Sequence, residues 1–330
     1  MAKEKQESGS DLLSKIDELN KRYGAGAVNT GDDIISIDRL STGSMSLDNI
    51  LGGGWGIGKI AEIYGPESSG KTTVCIHSMI EAQKSFPKKR VAFIDAEHAL
   101  DRDYCEHLGL DMSKVVISQP DNGEQALEIA EVLISSGEIS LCVIDSVAAL
   151  VPKAEIDGEM GDSKMGLQAR LMSQAMRKLT GLVNKTGTVL IFTNQLRDKI
   201  GVMYGSPETT SGGNALKFYA SIRVDIRKSM GAKDGDEVLT SKVTCKTVKN
   251  KLAPPFRKCV FEIIFGEGID KIGELVTFAD ELGIIDKKGT WYSYQGTNLA
   301  QGFQATKDIL RDNPELAEEI HTKIYELMGN

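Results

Sequence analysis

The chain has 330 residues, 41% of them hydrophobic and 26% charged, with a formal net charge of −8. That composition is ordinary for a soluble globular protein with room for two domains, or for one core with appendages. No apolar run approaches the roughly 20 residues of a membrane helix, and the polar start, Met1 to Ser10, lacks the apolar stretch of a signal peptide. The five cysteines (Cys75, Cys105, Cys142, Cys245, Cys259) show no CxxC or zinc-type spacing. They read as reduced thiols of a cytoplasmic protein, most of them buried. An acidic total argues against a nucleic-acid partner, but the distribution does not. Between residues 164 and 228 eleven Lys/Arg face three Asp/Glu, and between 242 and 258 there are six basic residues and no acidic one. A polyanion responds to the local field; the alternative is a set of solvated basic faces.

In chain order, residues 11–23 predict a helix. Leu12, Leu13, Ile16, Leu19 and Tyr23 share one face, Ser10 can cap it and Gly24 can end it. A Gly-rich linker follows to residue 31. The arm either packs on its own core or docks on a neighbouring subunit. Runs at 60–64, 91–94, 141–144 and 189–193 are short, β-rich and continuously apolar, as strands covered on both faces require. Helical patterns at 124–134 and 167–182 lie between them, the signature of a parallel βαβ sheet. Runs at 221–226, 242–247 and 259–265 are expected to extend it as antiparallel strands. Residues 275–282 predict a helix, 284–294 a hairpin turning at Lys288-Gly289, and Asn313-Pro314 starts a last helix with Leu316, Ile320, Ile324 and Leu327 on one face. The expected fold is α/β: a P-loop ATPase core with a mostly parallel central sheet, an N-terminal helical arm (1–34), the core (35–270) and a small α+β C-terminal domain (271–330).

Gly65-Pro66-Glu67-Ser68-Ser69-Gly70-Lys71-Thr72 matches G-x-x-x-x-G-K-[ST], between a predicted strand and a predicted helix that opens at Thr73. Its glycines let backbone N–H groups turn toward phosphate oxygens, and the helix adds its positive N-terminal dipole. Lys71 reaches the β/γ-phosphates and the Thr72 hydroxyl can ligate Mg²⁺. Asp145 ends an apolar strand and suits a carboxylate that holds Mg²⁺, with Ser146 beside it. Glu97 follows another strand, at the end where ligands sit in open α/β sheets. Position alone leaves it open as a general base or a solvated loop carboxylate. Gln195, past the strand at 189–193, can sense the γ-phosphate or cap the strand.

Taken together, these segments resemble the bacterial RecA recombinase family over essentially the whole chain. The resemblance rests on the phosphate loop through Thr73, on Phe93-Ile94-Asp95-Ala96-Glu97-His98-Ala99-Leu100-Asp101 and on Asp145-Ser146-Val147-Ala148-Ala149-Leu150. It also rests on Gln168-Ala169-Arg170-Leu171-Met172-Ser173-Gln174-Ala175-Met176-Arg177 and on Ala215-Leu216-Lys217-Phe218-Tyr219-Ala220-Ser221-Ile222-Arg223. It implies that Glu97 is the catalytic glutamate and that Gln195 couples the γ-phosphate to a DNA-binding loop. It implies that Asp101 and Tyr104 lie at the adenine, and that Lys249 and Lys251 reach a neighbour's ATP across a subunit interface. DNA contact is then expected on loops near 157–166 and 194–213, from Met165, Arg170, Arg177, Arg197, Lys199, Ile200, Met203, Gly212 and Gly213. Tyr204 stands where some relatives carry Phe.

The implied activity is ATP hydrolysis dependent on single-stranded DNA, with Mg²⁺. It comes with helical filaments, homologous pairing with double-stranded DNA, and stimulated self-cleavage of a LexA-type repressor. Members often end in a long acidic tail. This sequence ends at Asn330, which puts damping of duplex binding by such a tail in doubt. Ring-forming helicase or clock-type ATPases, a filamentous scaffold with incidental hydrolysis, and a small-molecule kinase are the competing readings.

Overall fold

The structure is a computed structural model that describes residues 2–24, 27–28, 30, 37–159, 166–198, 208–231, 233–234 and 237–328. The chain divides into two units, Met1–Asp38 and Arg39–Asn330. The first holds α1 (Ala2–Tyr23), which starts nine residues before the predicted helix, so Ser10 is not its cap. Lys3, Glu4, Lys5, Gln6 and Glu7 are strong helix formers, and they outweigh Ser8-Gly9-Ser10. Gly24, at φ +107, ends the helix. Asn20 clasps Val28 by accepting from its N–H and donating to its C=O. Leu12, Leu13, Leu19 and Tyr23 are all exposed.

The second unit begins with a clip of β1 (Arg39–Leu40) and β2 (Trp55–Gly56) around α2 (Met45–Leu51). The βα series follows as β3 (Ile60–Gly65), α3 (Lys71–Ser85), β4 (Arg90–Asp95), α4 (Arg102–His107), β5 (Val115–Ser118), α5 (Gly123–Ser135) and β6 (Ile139–Asp145). Next come α6 (Lys153–Ile156), α7 (Leu167–Thr186), β7 (Val189–Asp198), β8 (Glu208–Thr210), α8 (Ala215–Tyr219) and β9 (Ile222–Met230). A small hairpin, β10 (Lys233–Asp234) and β11 (Glu237–Val238), leads to β12 (Thr240–Asn250), β13 (Lys258–Ile264) and β14 (Gly268–Ile269).

The central sheet runs β14-β13-β12-β9-β3-β7-β6-β4-β5. Alternate residues of the inner strands enter opposite cores. Leu141 and Val143 join the layer under α3, whereas Cys142 and Ile144 join the layer under α5 and α7. This two-sided burial is why those strands read as continuous apolar runs. One expectation is corrected: β9 pairs parallel to β3, and only β12, β13 and β14 are antiparallel in this part of the sheet. The segment between β7 and β9 is long enough to carry the chain back to the starting end of the sheet, as a parallel crossover requires.

The C-terminal part has its own core of Leu275, Phe278, Ile285, Tyr292, Leu310, Ile320 and Ile324. It comprises α9 (Lys271–Glu281), β15 (Ile285–Lys288), β16 (Trp291–Tyr294), β17 (Thr297–Gln301), α10 (Phe303–Asp312) and α11 (Pro314–Met328). The predicted hairpin carries a third strand, and α10 had no counterpart in the sequence reading. On α11, Ile320 and Ile324 are buried but Leu327 is exposed, so the buried face is shorter than the periodicity suggests. Glu274 of α9 docks on the start of α2, its Oε1 accepting from Ser44 Oγ (2.7 Å) and Ser46 N (2.9 Å).

His77 of α3 makes a second tie, with Nε2 accepting from Ile269 N at 3.0 Å. It is wedged between Gly43 and Gly268, where a Cβ would lie 2.9 Å and 2.4 Å from its atoms. Burial, reinforced by the Lys271 and Lys84 charges and opposed by Glu81, holds its pKa down to about 4. The unfolded chain therefore takes up this proton near pH 6.5, and the native state only near 4. Stability from this group is complete above pH 6.5 and is lost as pH falls toward 4, by about 3 kcal/mol. Burial raises Asp48 to about 7 and gives a slope of the opposite sign, so the readout is the difference in urea stability between the parent and His77→Gln, which should shrink as pH falls from 7 to 4.

Candidate nucleotide site

A cavity of about 600 Å³ opens at the carboxyl ends of β3, β4, β6 and β7, the end where open α/β sheets bind ligands. Glu67 to Thr73 form one wall, and Glu97, Tyr104, Asp145 and Gln195 also line the cavity, whereas Gly65, Pro66 and Asp101 of the expected set are not among the lining residues. The loop must come close to its neighbours. A Cβ on Gly65 would lie 2.0 Å from the Ile226 carbonyl oxygen, and one on Gly70, at φ +96, would lie 2.7 Å from Ile263 Cδ1. No side chain caps the N-terminus of α3, which begins at Lys71.

Lys71 Nζ donates to the carbonyls of Pro66 (2.7 Å) and Gly65 (3.3 Å). Burial lowers its pKa, against the raising effect of Asp145 and Glu97. Thr72 Oγ1 donates to Asp145 Oδ2 at 2.7 Å, and Thr193 Oγ1 donates to Asp145 Oδ1. Burial raises the Asp145 pKa, the two hydroxyls oppose it, and Glu97 adds to it.

These features fit a nucleoside triphosphate and its cation. Ser69 Oγ is buried without a hydrogen-bond partner among the described residues, in the middle of the loop. A buried ammonium there favours an anion. Thr72 and Asp145 supply two oxygens where Mg²⁺ ordinarily takes one or two from protein and the rest from phosphate and water. Among the described residues no cluster of three His, Cys, Asp or Glu suits a metal.

Glu97 is exposed, and its Oε1 accepts from Ser146 Oγ (2.6 Å) and Gln195 Nε2 (2.9 Å). No hydrogen bond to Oε2 is found among the described residues. The loop bearing Glu97 is held by Asp95, whose carboxylate accepts from Ala99 N, Leu100 N and Gln119 Nε2. Asp101 caps α4, its Oδ1 accepting from Tyr104 N at 3.1 Å, while the Tyr104 side chain reaches the cavity. The sequence reading missed Lys228, Ser241, Val243, Ile263, Phe265 and Gly266, which line the opposite wall. They come from β9, β12, β13 and the turn after β13, which carry no phosphate motif.

The expected DNA segment at 194–213 is in part ordinary sheet. β7 continues to Asp198 and pairs antiparallel with β8, so Arg197 lies opposite Thr209 on a hairpin stem and is exposed. Arg227 holds β8 by donating to Glu208 (2.6 Å) and to Asp225 (2.8 Å). Lys199, Ile200, Met203 and Tyr204 lie outside the described residues, as does Met165. Gly212 and Gly213 have a packing reason of their own. Both have positive φ, and a Cβ on either would lie 2.7 Å from Val147 Cγ1 or Ala169 Cβ. Gln168 ties them to α7, its Oε1 accepting from Gly212 N while its Nε2 donates to the carbonyls of Val147 and Leu150. Arg170 and Arg177 lie exposed on α7, and no ion pair of either is found among the described residues.

Lys249 and Lys251 are not in this cavity. Lys249 Nζ donates to the Lys217 and Phe218 carbonyls, both at 2.8 Å. Lys251 is exposed, and its N–H bonds to Ser221, which in turn bonds to Ile60 at the amino end of β3. The phosphate loop leaves the other end of that six-residue strand, roughly 15–20 Å away.

The comparisons with known proteins agree in extent. A family model described as RecA N-terminal domain matches residues 10–270, and one described as RecA C-terminal domain matches 273–329. A protein of Bacteroides thetaiotaomicron named Protein RecA is 59% identical over 321 residues, 96% of this chain and 97% of the relative. Its namesake in Cytophaga hutchinsonii is 60% identical over 317 residues, covering 95% and 89%. That of Porphyromonas gingivalis is 56% identical over 322 residues, covering 97% and 94%.

Proposed function

The chain belongs to the RecA family, and from that premise we propose a DNA-dependent ATPase that polymerises on single-stranded DNA and pairs it with homologous duplex in recombinational repair. One observation carries the reading. The 2.9 Å hydrogen bond from Gln195 to Glu97 joins the hydrolytic carboxylate to the strand that continues into the β7–β8 hairpin.

ATP occupies the loop from Gly65 to Thr73, with Lys71 on its β/γ-phosphates and Thr72 and Asp145 at Mg²⁺. The cation supplies charge neutralisation for phosphoryl transfer. Glu97 takes the proton of the attacking water, and Ser146 and Gln195 orient the carboxylate. Tyr104 and Phe265 provide apolar walls of the kind a base stacks on. DNA bound at the hairpin shifts β7 and with it the Gln195 amide, so the nucleotide state and the DNA state are linked and each favours the other.

Two further features support assembly into filaments. Lys249 and Lys251 sit at the opposite end of β3 from the ATP cavity, a position that supports a role at a neighbour's ATP. An interface joining two different faces repeats head to tail and builds a helix when it does not close. The exposed apolar face of α1 suits docking on that neighbour. The same filament offers a surface for a LexA-type repressor, and the place of action is the cytoplasm. No helix among the described residues is long and apolar enough to cross a membrane.

The reading is tested by ATPase rates with and without single-stranded DNA, read beside electron micrographs. Turnover indifferent to DNA, or rings in place of filaments, overturns it. Arg170 and Arg177 should bind phosphates. Replacing both with Ala should lessen the slope of log affinity against log salt by about 1.4, since each single-strand phosphate contact contributes about 0.7. An unchanged slope removes them from the DNA surface.

A further inference from the structure

Cys245 and Cys259 face each other as direct partners across β12 and β13. As cross-strand partners they stand on the same face of the sheet; Cys245 belongs to the core layer under α2 and α3, and Cys259 packs against it. Cys245 is fully buried and Cys259 is partly accessible. The other three cysteines, Cys75, Cys105 and Cys142, are buried, and none is a sheet partner of another. Phe265 N bonds to Leu239 O and Thr247 N to Arg257 O, so alternation along the ladder makes the cysteine pair a hydrogen-bonded one. Cα atoms at such a pair lie about 5.5 Å apart, inside the range a disulfide spans. Cβ atoms are about 1 Å farther apart than a relaxed disulfide allows, so closure draws the strands together and leaves a strained, easily reduced bond.

We propose that Cys245 and Cys259 form a reversible oxidation site, a dithiol that a hydroperoxide closes to a cross-strand disulfide and so adjusts the adjoining ATP cavity. The link to the cavity is short. Val243, two residues before Cys245, lines it, and so does Ile263 four residues beyond Cys259. Pulling the two strands together at the cysteines moves the wall that those side chains make.

The chemistry needs only the named oxidant. The accessible Cys259, as thiolate, attacks the terminal peroxide oxygen; an S–O bond forms, the O–O bond breaks and an alcohol leaves. Cys245 then attacks the sulfenic sulfur; the S–S bond forms, and the hydroxyl leaves as water with the thiol proton. Two thiols are oxidised and one peroxide is reduced to alcohol and water. Burial pushes the Cys245 thiol well up and disfavours its thiolate, so the first attack falls to Cys259.

The test uses the full chain, treated with hydrogen peroxide, denatured, alkylated and mapped by mass spectrometry. Expected are a linked 245–259 peptide pair, the other three cysteines still alkylated, and ATP turnover lowered by at least about threefold and restored by dithiothreitol. Cys259→Ser should give no link and an activity indifferent to the same dose. The mapping does not depend on what the protein hydrolyses. Absence of the linked pair, or its formation without a change in rate, overturns the proposal; so does a Cys259→Ser protein inhibited as strongly as the parent.

Discussion

Glu97→Gln lowers single-stranded-DNA-dependent ATP turnover by about 10²- to 10⁴-fold, the usual contribution of a positioned general base. The amide keeps the shape of the carboxylate and an oxygen to accept from Ser146 and Gln195, both of which now donate to Glu97 Oε1. It cannot take a proton. The phosphate loop, Thr72 and Asp145 are untouched, so ATP should bind as before and ATP-dependent filaments should still form. Assembly without turnover is the diagnostic combination. It requires phosphate release and electron microscopy on the same preparation. Undiminished turnover removes Glu97 from the mechanism. Loss of filaments together with turnover would mean that the Glu97–Gln195 bond holds the structure and does not merely relay to the chemistry.

The parts of this site that were legible in the sequence are local ones. The phosphate loop is contiguous, so Gly65 to Thr73 could be read directly. Asp145 and Glu97 follow apolar runs, and the end of a buried strand is a position that the sequence marks. What escaped is held by contacts between distant residues. Buried Glu62 accepts from Asn194 and is ion-paired with Arg223, partners 132 and 161 residues away. That network includes Asn194, the neighbour of Gln195 on the coupling strand β7, yet no role for any of the three was legible. The direction of β9 escaped for the same reason, because an apolar run does not say which neighbour it pairs with. The helix α10 escaped because its buried face is only Thr306, Lys307 and Leu310. Lys307 is buried because it pairs with Asp270 at 2.5 Å. A buried lysine reads as surface until its partner is known.

A filament made from equal parts of Lys249→Ala and Glu97→Gln subunits recovers about one quarter of the parental turnover, although each variant alone is nearly inactive. In the proposed head-to-tail assembly each site would take its phosphate loop and Glu97 from one subunit and its lysines from the next. In a random mixture about one junction in four joins an intact Glu97 to an intact Lys249. Cations supplied across an interface to a transferring phosphoryl group are worth about 10³- to 10⁵-fold, so the restored junctions dominate the measured rate. This outcome follows from the proposal that the lysines act on a neighbour's ATP. Within one chain they lie at the wrong end of β3, with Lys249 bonded to the carbonyls of Lys217 and Phe218. Had they reached the cavity of their own chain, every site in the mixture would carry one lesion and no activity would return. The measurement is phosphate release against mixing ratio. A bell-shaped curve peaking at equal parts supports sharing of the site between subunits. A flat curve at the level of the single variants, with mixed filaments verified by differential labelling, confines catalysis to one chain.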